Sequence, residues 1–239
     1  MLFANPCVFV LLLFSDTLAA AALKHQHILE LNIAGANAIL GGAKEVQKSL
    51  KRAEIIPTVV DDFVPSALLE VRWSSGEAAL GNTLKPKKLE DAPSISLSDL
   101  SGHRDHGAEF VITLTDPDAP SRKDPKWSEF CHWIATARGL SPETTDGTPE
   151  TSPRFGPAHL NEVMPYKPPG PPEDTGKHRY VFLVLVAKNG TTEELHLSKP
   201  SDRKHWGYDT DEDETRGVRD WAEENGLIPV AANFIYAKH

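Results

Sequence analysis

The chain has 239 residues and a formal net charge of −9, from 25 Lys and Arg against 34 Asp and Glu. Nucleic acid binding is excluded as its main role, because that binding depends on basic side chains that displace counterions from phosphates. Apolar residues make up 40% of the chain and charged residues 25%, which indicates a globular domain with a buried core. The two cysteines, Cys7 and Cys131, cannot staple a disulfide scaffold, and no Cys/His cluster has zinc spacing. We therefore predict no cofactor and no structural metal.

The N-terminus has the pattern of a secretory signal peptide. Residues 8–14 (VFVLLLF) form an apolar run that is too short to span a bilayer, and a run of alanines follows. We predict that residues 1–22 are a signal peptide, that residues 23–35 are an N-terminal segment and that residues 36–239 are the folded domain. The mature chain would then lack a transmembrane span and would be secreted or enter the secretory pathway or vacuole. A retained N-terminal extension on a cytoplasmic protein is the alternative.

Hydrophobic periodicity predicts a first helix within Ala36–Ala53. Its apolar residues recur every three or four positions and so share one helical face. These residues are Ile39, Ala43, Val46 and Leu50. A second, short helix is predicted from an N-cap at Thr215 through Trp221, with its end at Gly226.

Segments rich in β-branched and aromatic residues predict strands. These segments are Ser66–Ser74, Glu109–Thr115, Cys131–Ala137, Arg179–Ala187 and Leu227–Ala237. The fourth segment is apolar almost throughout, as expected for a central strand that is covered on both faces. The stretch between Gly139 and Gly176 is rich in Pro, Thr and Gly and is predicted to be a long functional loop.

A first polar stretch, TLTDPDAPSR, begins in the last residues of the second predicted strand and continues beyond it. Asp116 and Asp118 lie two positions apart, so in extended backbone their side chains point the same way. Pro120 stiffens the chain that leaves the strand, and His132 lies on the next strand. An Asp-Pro-Asp sequence is also common as simple turn chemistry, and that interpretation stays open.

A second polar stretch, YKPPGPPEDTGKHRY, leads into the predicted central strand. Its prolines, Pro171 among them, form a rigid wall, and Gly170 lets a ligand approach the backbone closely. His178 and Tyr180 lie two positions apart at the head of the strand and share a face, whereas Arg179 points to the other face. The two stretches together place histidines, aspartates and a tyrosine at the ends of neighbouring strands.

These segments resemble a known family. TDPDAPSR followed by HW, and then GPP, TG and HRYVFLVL, resemble the two signature segments of the phosphatidylethanolamine-binding protein family, also called the Raf kinase inhibitor protein family. Further segments, among them GNTL, WSEFCH, HWGY, WAEEN and NFIY, resemble its carboxypeptidase Y inhibitor branch. The resemblance covers residues 38–238 and leaves out the first 35 residues.

The resemblance implies a mainly β fold, an antiparallel β-sandwich-like architecture with a few short peripheral helices. It also implies a small pocket that accepts an anion, such as phosphate or the head group of a phospholipid. The residues that match this pocket are Asp116, Asp118, Pro120, His132, Gly170, Pro171, His178 and Tyr180. Two positions depart from the family: Phe130 stands where many members have Trp, and Asp174 replaces a usual Gly and adds negative charge near the pocket mouth.

The function that follows is a non-catalytic protein that binds a phosphate-bearing molecule and inhibits a serine carboxypeptidase. Inhibitors of this branch insert their N-terminus into the protease, and the segment before the first helix here does not resemble theirs. We therefore expect inhibition to be weak and to depend on where the mature chain begins.

Two alternatives remain. The first is a scaffold or kinase-pathway regulator of the Raf-kinase-inhibitor type. The second is an enzyme that uses the His and Asp residues of the pocket. The chain has no GxSxG nucleophile elbow and no HExxH, and Cys131 and His132 are successive strand residues that point to opposite faces. These observations weigh against the enzyme.

Overall fold

A computed structural model of the chain describes residues 41–99, 107–138, 154–206 and 217–239. Several predictions concern residues outside these ranges and stay predictions. They are the signal peptide at residues 1–22, the segment at 23–35, the domain start at 36 and the place of Ile39 in the first helix. The predicted N-cap at Thr215 is wrong, because the second helix begins at Val218 and Gly217 is its N-cap. Within the described ranges, no helix is long and apolar enough to cross a bilayer.

The described residues form a mainly β domain with two helices. In chain order, the elements are α1 (residues 41–52), β1 (Ala67–Trp73), β2 (Gly76–Glu77), β3 (Asn82–Leu84), β4 (Ser94–Asp99), β5 (Glu109–Asp116), β6 (Phe130–Arg138), β7 (Arg154–Phe155), β8 (Asn161–Met164), β9 (His178–Ala187), α2 (Val218–Glu224) and β10 (Leu227–Ala237). Short 3-10 turns lie at Pro86–Lys88 and Pro157–His159.

Two sheets organise these strands. The larger sheet has the strand order β3-β10-β9-β5-β6-β8, and the smaller one has the order β2-β1-β4-β7. Among the described pairs, β3 with β10 is the one parallel pair, and the others are antiparallel. The predicted mainly β, antiparallel architecture with short peripheral helices is therefore confirmed.

The core lies on both faces of the larger sheet. Strand β9 shows this most clearly, because its successive residues pack into two separate clusters. Val181, Leu183 and Leu185 face the cluster that includes residues of α1 and α2. Phe182 and Val184 face the cluster shared with β1 and β4. The prediction of a central strand covered on both faces is thus confirmed.

Helix α1 buries the face that its periodicity predicts. Ala43, Val46 and Leu50 are buried, whereas Lys44 and Lys48 are exposed. This pattern is typical of a surface helix whose stability comes from packing one apolar stripe on a sheet.

The prediction of a single long loop between Gly139 and Gly176 is wrong. Its described part contains the two short strands β7 and β8 and a 3-10 turn between them. Strand β7 pairs with β4, and β8 pairs with β6 at the edge of the larger sheet. Both strands have at most four residues, so they carry too little alternation to be recognised in the sequence.

Candidate functional site

Three strand ends meet at one end of the larger sheet and hold the site. Strand β5 lies between β6 and β9 and runs antiparallel to both. Its last residue therefore lies beside the first residues of both neighbours. This arrangement brings Asp116, at the end of β5, close to His132 near the start of β6 and to His178 at the start of β9.

The Asp116 carboxylate is the centre of the site and is almost fully buried. Its Oδ2 accepts a hydrogen bond from Nδ1 of His178 at 2.9 Å, and its Oδ1 accepts one from the backbone N–H of Asp118 at 2.8 Å. Burial and the nearby negative charge of Asp116 raise the pKa of Tyr180 well above its usual value, so the phenol keeps its proton.

His178 is fixed from both sides of its ring. Nδ1 faces Asp116, and Nε2 lies 3.0 Å from Oγ1 of Thr175. The Thr175 hydroxyl lies 2.7 Å from the carbonyl oxygen of Pro172, to which it donates. Thr175 therefore belongs to the site, although it was not among the residues predicted from the sequence. A hydroxyl residue three positions before His178 in a Pro-rich loop is the signal that could have found it.

His132 is neutral at pH 7. Burial lowers its pKa to about 4, and the charge of Asp116 offsets this effect only in part. Its Nδ1 lies 2.8 Å from the carbonyl oxygen of Lys167 and donates to it, because a carbonyl can only accept. Nε2 of the neutral ring is therefore an acceptor. The ring contacts Tyr180 edge-on at 5.1 Å between centroids and Phe130 at 5.0 Å.

The Pro-rich segment reaches the site through Gly170. The backbone of Gly170 acts on the Tyr180 phenol: it lowers the pKa of Tyr180, against the larger effects of burial and Asp116. A Cβ on Gly170 would meet nothing closer than the carbonyl oxygen of Pro168 at 3.9 Å, so open space adjoins this backbone. Pro171 is buried next to it, and Pro120 is half-buried two residues beyond Asp118.

Asp118 does not point the same way as Asp116, contrary to the expectation from extended backbone. Strand β5 ends at Asp116, and a turn follows. Asp118 pairs instead with Arg179, with 2.7 Å from Nη2 to Oδ1 and 3.0 Å from Nε to Oδ2. Arg179 also donates to the carbonyls of Ala53 and Glu54, just after α1. Asp118 therefore ties the turn behind the site to α1.

The site differs in chemistry from a nucleophilic or metal centre. In the described part of the chain, no three His, Cys, Asp or Glu side chains are grouped to hold a metal ion. Cys131 is buried in the core cluster opposite His132, and burial raises the pKa of its thiol to about 12. A thiol in that state is a poor nucleophile. The buried carboxylate, the phenol and the two imidazoles instead offer hydrogen bonds and one negative charge to a small polar ligand.

Comparisons with known proteins show which proteins this chain is similar to. A family model described as phosphatidylethanolamine-binding protein matches residues 74–235. The carboxypeptidase Y inhibitor of Saccharomyces cerevisiae is 36% identical over 208 residues, which are 80% of this chain and 93% of that protein. A crystal structure of carboxypeptidase Y inhibitor complexed with the cognate proteinase matches with a TM-score of 0.68 and 34% identity, over 82% of this chain and 96% of that one. The phosphatidylethanolamine-binding protein of Plasmodium vivax matches with a TM-score of 0.59 over 80% of this chain and 96% of that one; at 20% identity this likeness shows the fold alone.

Proposed function

Because the chain belongs to the phosphatidylethanolamine-binding protein family, we propose that it is a non-catalytic protein whose pocket binds a phosphate-bearing molecule, in particular a phospholipid head group. One observation carries this proposal: Asp116, His132, His178 and Tyr180 converge at one end of the sheet. All four are buried, and a few polar groups that converge at one place are typical of a ligand site.

The arrangement suits a zwitterion with a phosphate and an ammonium group. The phosphate oxygens need hydrogen-bond donors, which the phenol of Tyr180 and a protonated ring of His132 supply; these two rings are in contact, at 5.1 Å between centroids. The ammonium group needs the carboxylate of Asp116. Neutral His132 offers an acceptor at Nε2, so a bound phosphate favours the protonated ring.

A pH prediction follows for ligand binding. The affinity for glycerophosphoethanolamine, whose phosphodiester stays ionised, is expected to rise as the pH falls from about 7.5 to about 5.5. His132 has a pKa of about 4 in the free protein. Binding of the anion takes up a proton there, which gives up to about tenfold in affinity for each pH unit. Titration calorimetry at several pH values measures this slope.

Two variants make the result specific. His132→Asn keeps a polar side chain but removes the proton acceptor, so the slope should vanish. His196→Asn changes an exposed histidine in another part of the domain and should leave the slope unchanged. An affinity that does not change with pH in the unmodified protein would contradict the role given to His132.

We further propose that the protein inhibits a serine carboxypeptidase. The similarity to the carboxypeptidase Y inhibitor over 80% of the chain supports this proposal. The predicted signal peptide is compatible with a role in the secretory pathway or the vacuole. The segments that resemble the inhibitor branch are largely structural here: Glu129 is buried, and the amide of Asn233 donates to the carbonyls of Leu69 and Ala78. The contact with a protease therefore depends on other residues, and the N-terminal segment is the first to test.

Chains that start at residues 1, 23 and 36 separate the possibilities in an activity assay of a vacuolar-type serine carboxypeptidase. We expect weak inhibition that is lost in the chain that starts at residue 36, because a few anchor residues carry most of the affinity of such a contact. Full inhibition by the shortest chain would show that the N-terminal segment has no role. If none of the three chains inhibits, the inhibitor proposal fails and the ligand pocket remains.

A further inference from the structure

One asparagine of the chain stands in the acceptor sequence for N-linked glycosylation, which is Asn, then any residue except Pro, then Ser or Thr. Asn189, Gly190 and Thr191 satisfy this pattern. The chain has eight asparagines, and none of the other seven has Ser or Thr two positions later. A match of three residues is weak evidence by itself, so the place of the sequence in the fold decides whether a glycan can be attached there.

The acceptor sequence lies on an exposed loop. Asn189 is in the turn that follows β9, where the backbone N–H of Gly190 donates to the carbonyl of Ala187 at 3.0 Å. The side chain of Asn189 is exposed. Residues 190–200 form neither helix nor strand, and most of them are exposed too. A glycan is bulky and hydrophilic and has to project from the surface, and this loop provides such a place.

The amide group of Asn189 is held by its oxygen and not by its nitrogen. Oδ1 accepts a hydrogen bond from the backbone N–H of Thr191 at 3.1 Å, which is the geometry of an Asx turn. Nδ2 forms no hydrogen bond with a residue that the structure describes. By contrast, Asn225 and Asn233 use Nδ2 to donate to backbone carbonyls. The nitrogen is the atom that receives the sugar, so Asn189 differs from these structural asparagines in the atom on which the reaction depends.

The two residues after Asn189 also suit an acceptor site. Gly190 has a φ of 68°, and a Cβ there would meet nothing within 4 Å, so the space beside the turn is open. The hydroxyl of Thr191 accepts from the backbone N–H of Glu193 at 3.1 Å. That bond uses a lone pair of the oxygen and leaves the hydroxyl proton free for contact with a transferase.

We propose that Asn189 carries an N-linked glycan. The proposal rests on the predicted signal peptide, because this glycosylation takes place in the secretory pathway, and it does not rest on the pocket. In the transfer, Nδ2 forms a bond to the anomeric carbon of an oligosaccharide that is carried on a polyisoprenyl pyrophosphate. The bond between that carbon and the pyrophosphate oxygen breaks, the lipid pyrophosphate leaves, and the amide gives up one proton to a base.

A glycan at this position leaves the pocket accessible. His178 is the first residue of β9 and Ala187 is the last, so the strand of ten residues separates the pocket from the turn that holds Asn189. An extended strand of that length spans about 30 Å. We therefore expect the glycosylated and unglycosylated proteins to have the same affinity for glycerophosphoethanolamine.

The test is mass spectrometry of the full chain, expressed with its own N-terminus in eukaryotic host cells. Digestion with peptide-N-glycosidase in heavy-oxygen water should remove one glycan and leave a labelled aspartate at position 189. Asn-Gly sequences also deamidate spontaneously, so a parallel incubation without the enzyme is needed. Asn225 is the internal control, because Gly226 follows it but no hydroxyl residue comes two positions later. Equal labelling of both asparagines with and without the enzyme would mean deamidation only and would overturn the proposal.

Three variants test the dependence on the hydroxyl group. Thr191→Val removes it with little change of shape and should abolish the glycan completely, whereas Thr191→Ser should keep it. Thr192→Val is the matched control, because it removes a hydroxyl group one residue further along and should leave the glycan in place. A glycan that persists in the Thr191→Val chain would contradict the assignment to Asn189.

An unglycosylated natural chain would also overturn the proposal, and a second chain shows which part has failed. In that chain a well-characterised signal peptide replaces residues 1–22. If it acquires the glycan, the acceptor site is competent and the predicted signal peptide is wrong; if it is secreted without a glycan, the acceptor site is wrong. Calorimetry with glycerophosphoethanolamine on unglycosylated protein from bacterial cells tests the pocket separately, so neither failure affects the proposed function of the pocket.

Discussion

Replacing Asp118 with Ala is expected to lower the free energy of unfolding by about 3–5 kcal/mol, because it leaves a buried guanidinium without its counter-charge. Arg179 is 6% exposed and Asp118 is 1% exposed. The carboxylate accepts from Nε and Nη2 of Arg179 and also from its backbone N–H, at 2.7 Å. The loss of Asp118 therefore removes three contacts and leaves the buried charge of Arg179 without a counter-charge.

Urea denaturation measures this loss, and Lys51→Ala serves as the control. Lys51 and Asp62 form an ion pair of similar length, 2.6 Å, but both side chains are about half exposed. Exposed pairs of this kind contribute less than about 1 kcal/mol. If Asp118→Ala destabilised the protein no more than Lys51→Ala, the structural role of the buried pair would be refuted.

Replacing Gly217 with Ala is expected to cost about 1–3 kcal/mol of folding stability, because the new methyl group overlaps a buried carboxyl group. A Cβ at Gly217 would lie 2.3 Å from the carboxyl carbon of Glu129. That carboxyl group cannot simply move away, since its Oε2 accepts from Oγ1 of Thr115 at 2.9 Å and from the backbone N–H of Val218 at 3.3 Å. Burial raises the pKa of Glu129 to about 7. Because the group is buried, a displaced carboxyl group would also lose its hydrogen bonds without gaining water in their place.

Gly156→Ala is the matched control for this substitution. Gly156 has ordinary extended backbone, and a Cβ there would meet only Nδ1 of His159 at 3.6 Å. Thermal unfolding of the two variants should therefore differ clearly. Similar stabilities for both variants would show that the space beside Glu129 is larger than the structure indicates.

The long buried strands were predictable from the sequence, because their apolar residues persist over many positions. The predicted strand Leu227–Ala237 has the same bounds as β10, and the prediction for β9 starts one residue late. Strand β4 was missed, although Ile95 and Leu97 are buried and alternate with serines. That alternation of apolar and polar residues could have predicted β4, whereas the two residues of β7 are too few to show any alternation.

The convergence of Asp116, His132 and His178 followed from a family resemblance and from residues placed at strand ends. The hydrogen-bond partners of the site residues could not be predicted in this way, because they are distant in the sequence. Asp118 was expected beside Asp116, yet it meets Arg179 because the strand ends and the chain turns. The carbonyl of Lys167 that orients His132 is 35 residues away along the chain, and no local pattern indicates it.

NMR of the ring signals during a titration tests most directly whether this site binds a phosphate-bearing head group. Glycerophosphoethanolamine should shift the ring signals of His132, His178 and Tyr180 together and to saturation, because both imidazole rings lie against the ring of Tyr180. The signals of His159 and His196, which lie outside the site, should stay unchanged. If the ligand left the three pocket rings unchanged, or shifted the two distant histidines equally, the account of the pocket would be contradicted.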